Sequence, residues 1–171
     1  DEHLTSAYDI AIMSRELSKN HPEIHEYTKI WMDTLRGGEF GITNTNKLVR
    51  FYDGCDGGKT GFTNEAGFCL AATAKRSDMR IISVVIGEES SVNRFEDVKS
   101  MFDYAFANYV NKTIIQQGVT LENPLSVSGG KVQSLQAYPS RSAYSFEKRG
   151  EQHDVTFEIV YGDLRAPIKK G

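Results

Sequence analysis

Between about Thr5 and Lys19, the residues Ala7, Ile10, Ala11, Ser14 and Leu17 fall on one face of a 3.6-residue period, which predicts an amphipathic helix. Ser6 and Asp9 have the S-x-x-D spacing of a capping box, and Asn20, His21 and Pro22 end the segment. Pro22 suits the first position of a second helix over residues 23–32, with Ile24, Tyr27 and Trp31 on one side and Gly37 and Gly38 closing it. Residues 40–53 are mixed, with Asn and Thr turn chemistry at 43–46.

The period then shortens to two. Residues 58–63, 68–74 and 81–86 read as strands separated by turns at 64–67 and 76–78, an antiparallel meander. The run Ile81-Ile82-Ser83-Val84-Val85-Ile86 is apolar on both faces, which predicts a central strand. After Gly87 the helical period returns in Val92, Phe95, Val98, Met101, Phe102, Ala105 and Phe106, a helix packing on that sheet. From residue 109 onward, short alternating stretches at 113–116, 130–137, 144–148 and 155–160 stand between Gly, Pro and Ser. The expected organisation is an α/β chain of the α+β kind: an antiparallel sheet flanked by helices in residues 1–108, then a small, incomplete all-β domain in residues 109–171.

Composition narrows the class without naming it. A chain of 171 residues with 39% hydrophobic and 25% charged content is ordinary for a globular domain with a real core. No run approaches the roughly 18 apolar residues of a membrane span, and a pI near 5.8 argues against nucleic acid as a partner. Cys55 and Cys69 are too few for a zinc set and read as two small buried side chains. His21 and His25 lie four apart, but Pro22 starts a helix between them, so they read as surface or capping histidines. Arg141, Lys148, Arg149, Lys169 and Lys170 read as solvated surface.

The segment from Asp53 to Gly61 fails as a phosphate loop, because position 53 is Asp and a strand, not a helix, follows Thr60. What it does carry is Lys59-Thr60-Gly61 on the edge of an antiparallel sheet. Lys supplies fixed positive charge for a carboxylate, Thr a hydroxyl beside it, and Gly room for another backbone along the strand.

The longer phrase Lys59-Thr60-Gly61-Phe62-Thr63-Asn64-Glu65-Ala66-Gly67 resembles the K-T-G-x-T-x-x-A-G motif of low-molecular-mass penicillin-binding proteins, within them the serine-type D-alanyl-D-alanine carboxypeptidases. Further phrases resemble that family: residues 3–9, Asn44-Thr45-Asn46-Lys47-Leu48, residues 79–85, Arg94-Phe95-Glu96-Asp97 and residues 164–171. The resemblance implies a serine β-lactamase/transpeptidase-like catalytic domain ending near residue 108. It also implies acyl transfer to a serine that removes the terminal D-Ala of a peptidoglycan stem peptide, with penicillin and other β-lactams acylating by the same route.

By carry-over, Lys59 lines the cleft, Thr60 hydrogen-bonds the terminal carboxylate, and Gly61 leaves space. The backbone N–H of Phe62 serves the oxyanion hole, Thr63 contacts substrate or buttresses the strand, and Arg94 helps attract the carboxylate. No metal or organic cofactor is implied. The family's S-x-x-K and S-x-N are expected upstream of this segment. The textual match Ser145-Phe146-Glu147-Lys148 follows the K-T-G motif and lies in a β-rich stretch. The segment alone is therefore expected to be inactive. The expected location is the outer face of the bacterial membrane or the cell wall, with membrane attachment through a segment outside this sequence. Two alternatives remain open: a non-catalytic β-rich docking or spacer module, and a class A β-lactamase-like hydrolase. The second is disfavoured by Ala66-Gly67 and the appended β-rich region.

Overall fold

A computed structural model describes residues 4–121, 123–151, 153–160 and 162–169. His3, Lys170 and Gly171, which belong to phrases of the family resemblance, lie outside the described residues. The chain divides into two compact units, Asp1–Asn108 and Tyr109–Gly171.

The first unit opens with helix α1, Ala7–Asn20. The cap works as expected: Ser6 Oγ accepts the Asp9 N–H at 3.1 Å and donates to the Asp9 carboxylate at 2.8 Å. His21 closes the helix by donating its N–H to the Leu17 carbonyl. The second helix differs from expectation. Helix α2 covers only Ile24–Thr28, and Met32 already lies in strand β1, Met32–Leu35, paired with β2, Phe40–Thr43. Gly37 and Gly38 therefore turn a hairpin and do not close a helix. The reason is a long-range capture. Asn44 Nδ2 donates to the carbonyls of Thr28 and Ile30, both at 3.0 Å, so neither is left for a continuing helix. A short helix α3, Leu48–Phe51, follows.

The meander forms as predicted: β3 Cys55–Thr63, β4 Gly67–Arg76 and β5 Met79–Glu88, all antiparallel in the order β3-β4-β5. The predicted central strand is corrected. β5 flanks this sheet and β4 is its middle. Two-sided apolar character in β5 comes from helices, since α1 and α4, the latter Ser91–Asn108, both pack on β4 and β5. Strand alternation puts Arg80 and Ile82 towards α1, while Met79, Ser83 and Val85 are buried on the opposite face.

Helix α4 is capped by Ser90, whose Oγ accepts the Asn93 N–H. Its buried stripe is Arg94, Val98, Phe102 and Phe106. Val92, expected on that stripe, is 59% exposed. Phe102 is fully enclosed, its ring 5.3 Å from Tyr52 and 6.4 Å from Phe106.

The second unit pairs β6, Tyr109–Ile115, with β9, Ala143–Lys148, and the two-residue strands β7, Leu125–Ser126, and β8, Ser134–Leu135. Residues 155–160, expected as a strand, form no strand in the structure. Ser145 and Lys148 of the textual S-x-x-K match lie on β9 and open no helix. Among the described residues no helix is long and apolar enough to cross a membrane.

Candidate active site

Strand β3 is shaped before it reaches Lys59. A bulge between Cys55 and Gly57 leaves Asp56 as the extra residue. Its carboxylate takes a two-pronged ion pair from Arg80 at 2.8 and 2.7 Å, and its carbonyl accepts the Thr28 hydroxyl at 2.8 Å. Gly57 and Gly58 have φ of +146° and +117°. A Cβ at Gly57 would overlap the Thr28 side chain, and one at Gly58 the Ala71 carbonyl, so the strand's own packing demands both glycines. Gly61 differs. A Cβ there would meet only Cys69 Cβ, at an ordinary 3.7 Å, so nothing within the chain requires glycine at that position.

Lys59 and Thr60, being successive on a strand, face opposite ways. Lys59 is exposed at a groove of about 360 Å³ beside Met13, Leu17, Ile24 and Gly58, and its Nζ donates to the Thr60 carbonyl at 2.6 Å. Thr60 is 8% exposed, its hydroxyl 2.6 Å from that of Thr45. Phe62 is half exposed and packs on Phe68 across the hairpin with the rings tilted, their centres 4.4 Å apart. The Thr63 hydroxyl accepts the Ala66 N–H at 2.9 Å and so closes the β3–β4 turn. Among the described residues β3 pairs with β4 alone, which leaves its other edge, Phe62 included, open.

Arg94 reaches the same strand from α4. It is buried, donates to the carbonyls of Gly61 at 3.2 Å and Cys69 at 3.4 Å, and lies over the rings of Phe68 and Phe95. Burial pushes its guanidinium below the ordinary value, yet an arginine keeps its charge at neutral pH. Its Nε is buried without a hydrogen-bond partner.

His25 corrects the surface expectation for the two histidines. His21 caps α1, but His25 is 8% exposed beside Asp56, Nδ1 to Oδ1 3.6 Å. Burial holds its imidazole below the ordinary 6.5, and Asp56 opposes that shift without overcoming it. Cys55 is buried and Cys69 half-buried, and both are free thiols. Burial pushes the Cys55 thiol up, away from thiolate chemistry. Among the described residues no three His, Cys, Asp or Glu side chains gather as a metal set.

Thr45 and Asp56 were not among the site residues expected from the sequence. The signal for Thr45 was present in the Asn44-Thr45-Asn46 turn. The Asp56 contacts come from β5 and α2, too far along the chain for any local pattern.

The family model for D-alanyl-D-alanine carboxypeptidases matches residues 1–90, more than half of the chain. This chain belongs to that family. D-alanyl-D-alanine carboxypeptidase DacF of Bacillus subtilis is 39% identical to this chain, over 99% of this chain and 44% of the relative. The chain thus spans less than half the length of that curated relative. Among solved structures, the peptidoglycan synthesis regulatory factor PBP3 of Streptococcus pneumoniae matches with a TM-score of 0.79 at 32% identity, over 96% of this chain and 47% of its own. Penicillin-binding protein D2 of Listeria monocytogenes, in its ampicillin-bound form, matches with a TM-score of 0.51 at 38% identity, over 54% of this chain and 38% of its own. The mixed fold of antiparallel sheet and helices agrees with these penicillin-binding proteins.

Proposed function

We propose that the full-length protein carrying this segment is a serine-type D-alanyl-D-alanine carboxypeptidase, acting on peptidoglycan stem peptides outside the cytoplasmic membrane and acylated by β-lactams. The observation that carries this reading is the Lys59-Thr60-Gly61 sequence on the open edge of β3, with Gly61 small where the chain's own packing does not need it. A substrate backbone laid along that edge meets no side chain at position 61.

In this reading the nucleophilic serine and its base come from a part of the protein outside these 171 residues. The serine oxygen attacks the D-Ala-D-Ala carbonyl, the terminal D-Ala leaves with the proton, and water releases the acyl group. Lys59 holds positive potential at the cleft, and the Thr60 hydroxyl donates to the substrate's terminal carboxylate. The Phe62 N–H stabilises the oxyanion, a contribution of about 3 kcal/mol for such a fixed donor. Arg94 adds positive charge from behind the strand through its hold on the Gly61 carbonyl. Thr63 supports the strand through its turn. The ampicillin-bound relative supports β-lactam binding by the full-length protein.

Lys59→Ala in the full-length protein tests the reading. Acylation by penicillin, followed as covalent mass gain, falls on the order of a hundredfold or more, while thermal stability changes little because Lys59 is exposed. An unchanged acylation rate removes Lys59 from the site.

A further inference from the structure

We propose that Thr45 is a positioning residue for the substrate carboxylate, holding the Thr60 hydroxyl in the orientation that donates to an anion. This rests on the carboxypeptidase reading above and adds a residue to it.

The argument begins with how rigidly Thr45 is presented. It stands between two asparagines whose side chains are fully committed. Asn44 Oδ1 accepts the Asn46 N–H at 2.9 Å, while its Nδ2 ties the turn to the carbonyls of Thr28 and Ile30. Asn46 is completely buried. Its Oδ1 accepts the Leu48 N–H at 3.1 Å, and its Nδ2 donates to the Gly57 carbonyl on β3, also at 3.1 Å. One asparagine therefore anchors the turn to the end of α2, and the other anchors it to the strand that carries Thr60. The Thr45 hydroxyl between them has little freedom to move away from Thr60.

A hydroxyl owns one proton and two lone pairs. At 2.6 Å the two threonine hydroxyls share a single hydrogen bond, with either able to donate. Thr60 is buried and Thr45 exposed, so the second choice belongs to Thr45, which has water for its remaining lone pairs. When a carboxylate lies along β3, the stronger bond is the charge-assisted one from Thr60 to the anion. Thr60 can donate it without losing its contact only if Thr45 donates in turn to Thr60. The result is a relay, Thr45 O–H to Thr60 O–H to carboxylate, in which each bond polarises the next. Without the Thr45 hydroxyl, Thr60 must reorient in the free protein and reorganise when substrate binds.

The test uses the full-length protein and the variants Thr45→Val, Thr45→Ser, Thr60→Val and the Thr45→Val/Thr60→Val pair. The probes are benzylpenicillin and an acylated peptide ending in D-Ala-D-Ala, with a free carboxylate or as its C-terminal amide. The expected result is a roughly three- to tenfold loss for Thr45→Val in the penicillin acylation constant and in kcat/KM for the free acid. Thr45→Ser stays within about twofold of wild type, and the loss shrinks on the amide. In the Thr60→Val background the second substitution costs nothing further, because the relay is already broken. A purely structural role for the turn would instead lower all substrates alike and add fully in the Thr60→Val background. That result, or wild-type behaviour of Thr45→Val, overturns the proposal while leaving the carboxypeptidase reading intact. If the wild-type protein forms no covalent adduct with benzylpenicillin, both fall together.

Discussion

In residues 1–108 the three strands of the main sheet run nine or ten residues and enclose Leu70, Ala72 and Ala74 at no more than 1% exposure. In residues 109–171 the longest ladder joins a seven-residue strand to a six-residue one, and the one buried side chain among the described residues is a carboxylate, Glu147. Its Oε2 lies 3.8 Å from Lys112 Nζ, while Oε1 has no partner. Phe146, next to it, is 60% exposed. The two units thus differ: apolar side chains fill an interior in the first, while among the described residues of the second they are at most half-buried. The Lys59-Thr60-Gly61 phrase proposed to meet substrate lies on the unit with the filled interior, where a strand can be held to the tolerance such a role needs.

Paired truncations sharpen that contrast. Phe102→Ala removes an enclosed ring and should cost about 3–5 kcal/mol of unfolding free energy, read by denaturant titration. Phe146→Ala loses one stacked contact, with Tyr109 at 5.0 Å, and should cost below about 1 kcal/mol. Equal costs would mean that the second unit has a core after all.

An intermediate effect is expected from His25. Burial disfavours its charged form, so the folded protein holds that proton less tightly than the unfolded chain does. The unfolded state then takes up more protons as pH falls below the ordinary 6.5. Stability from this source is complete above that value and declines as pH drops through it towards the lowered folded value. The groups facing the ring are Asp56 on β3, Arg80 on β5 and Glu26 on its own helix. His25→Phe should flatten the melting temperature between about pH 7.5 and about pH 5 relative to wild type. Parallel curves for the two proteins would show that folding leaves the imidazole's hold on its proton unchanged.

The smallest expected effect is a null one. Deleting residues 109–171 from the full-length protein should leave penicillin acylation unchanged, which is the behaviour of a spacer or docking module. Loss of acylation with a folded first unit would make the second unit part of the mechanism.

Most of the first unit was legible in the sequence because its signals are local. Ser6 and Asp9 announce α1, the turns at residues 64–67 and Ser77-Asp78 separate β3, β4 and β5, and Val98, Phe102 and Phe106 mark the inner face of α4. The β1–β2 hairpin was not legible. The spacing of Ile24, Tyr27 and Trp31 is helical, and only Asn44, far along the chain, takes the carbonyls that would have continued α2. The order of the sheet was obscured because a strand covered by helices on both faces has the same apolar pattern whether it is central or flanking. At the site, Lys59, Thr60 and Gly61 were readable as a motif. Which neighbour each one touches was not, because Thr45 and Arg94 arrive from separate elements.

The flank of β5 has a practical consequence for anyone handling these 171 residues by themselves. Among the described residues no strand pairs along its outer side, and Ile81-Ile82-Ser83-Val84-Val85-Ile86 carries neither charge nor proline. Such a border is a template for a second copy of itself. Purified alone, the segment should show sedimentation that grows with concentration.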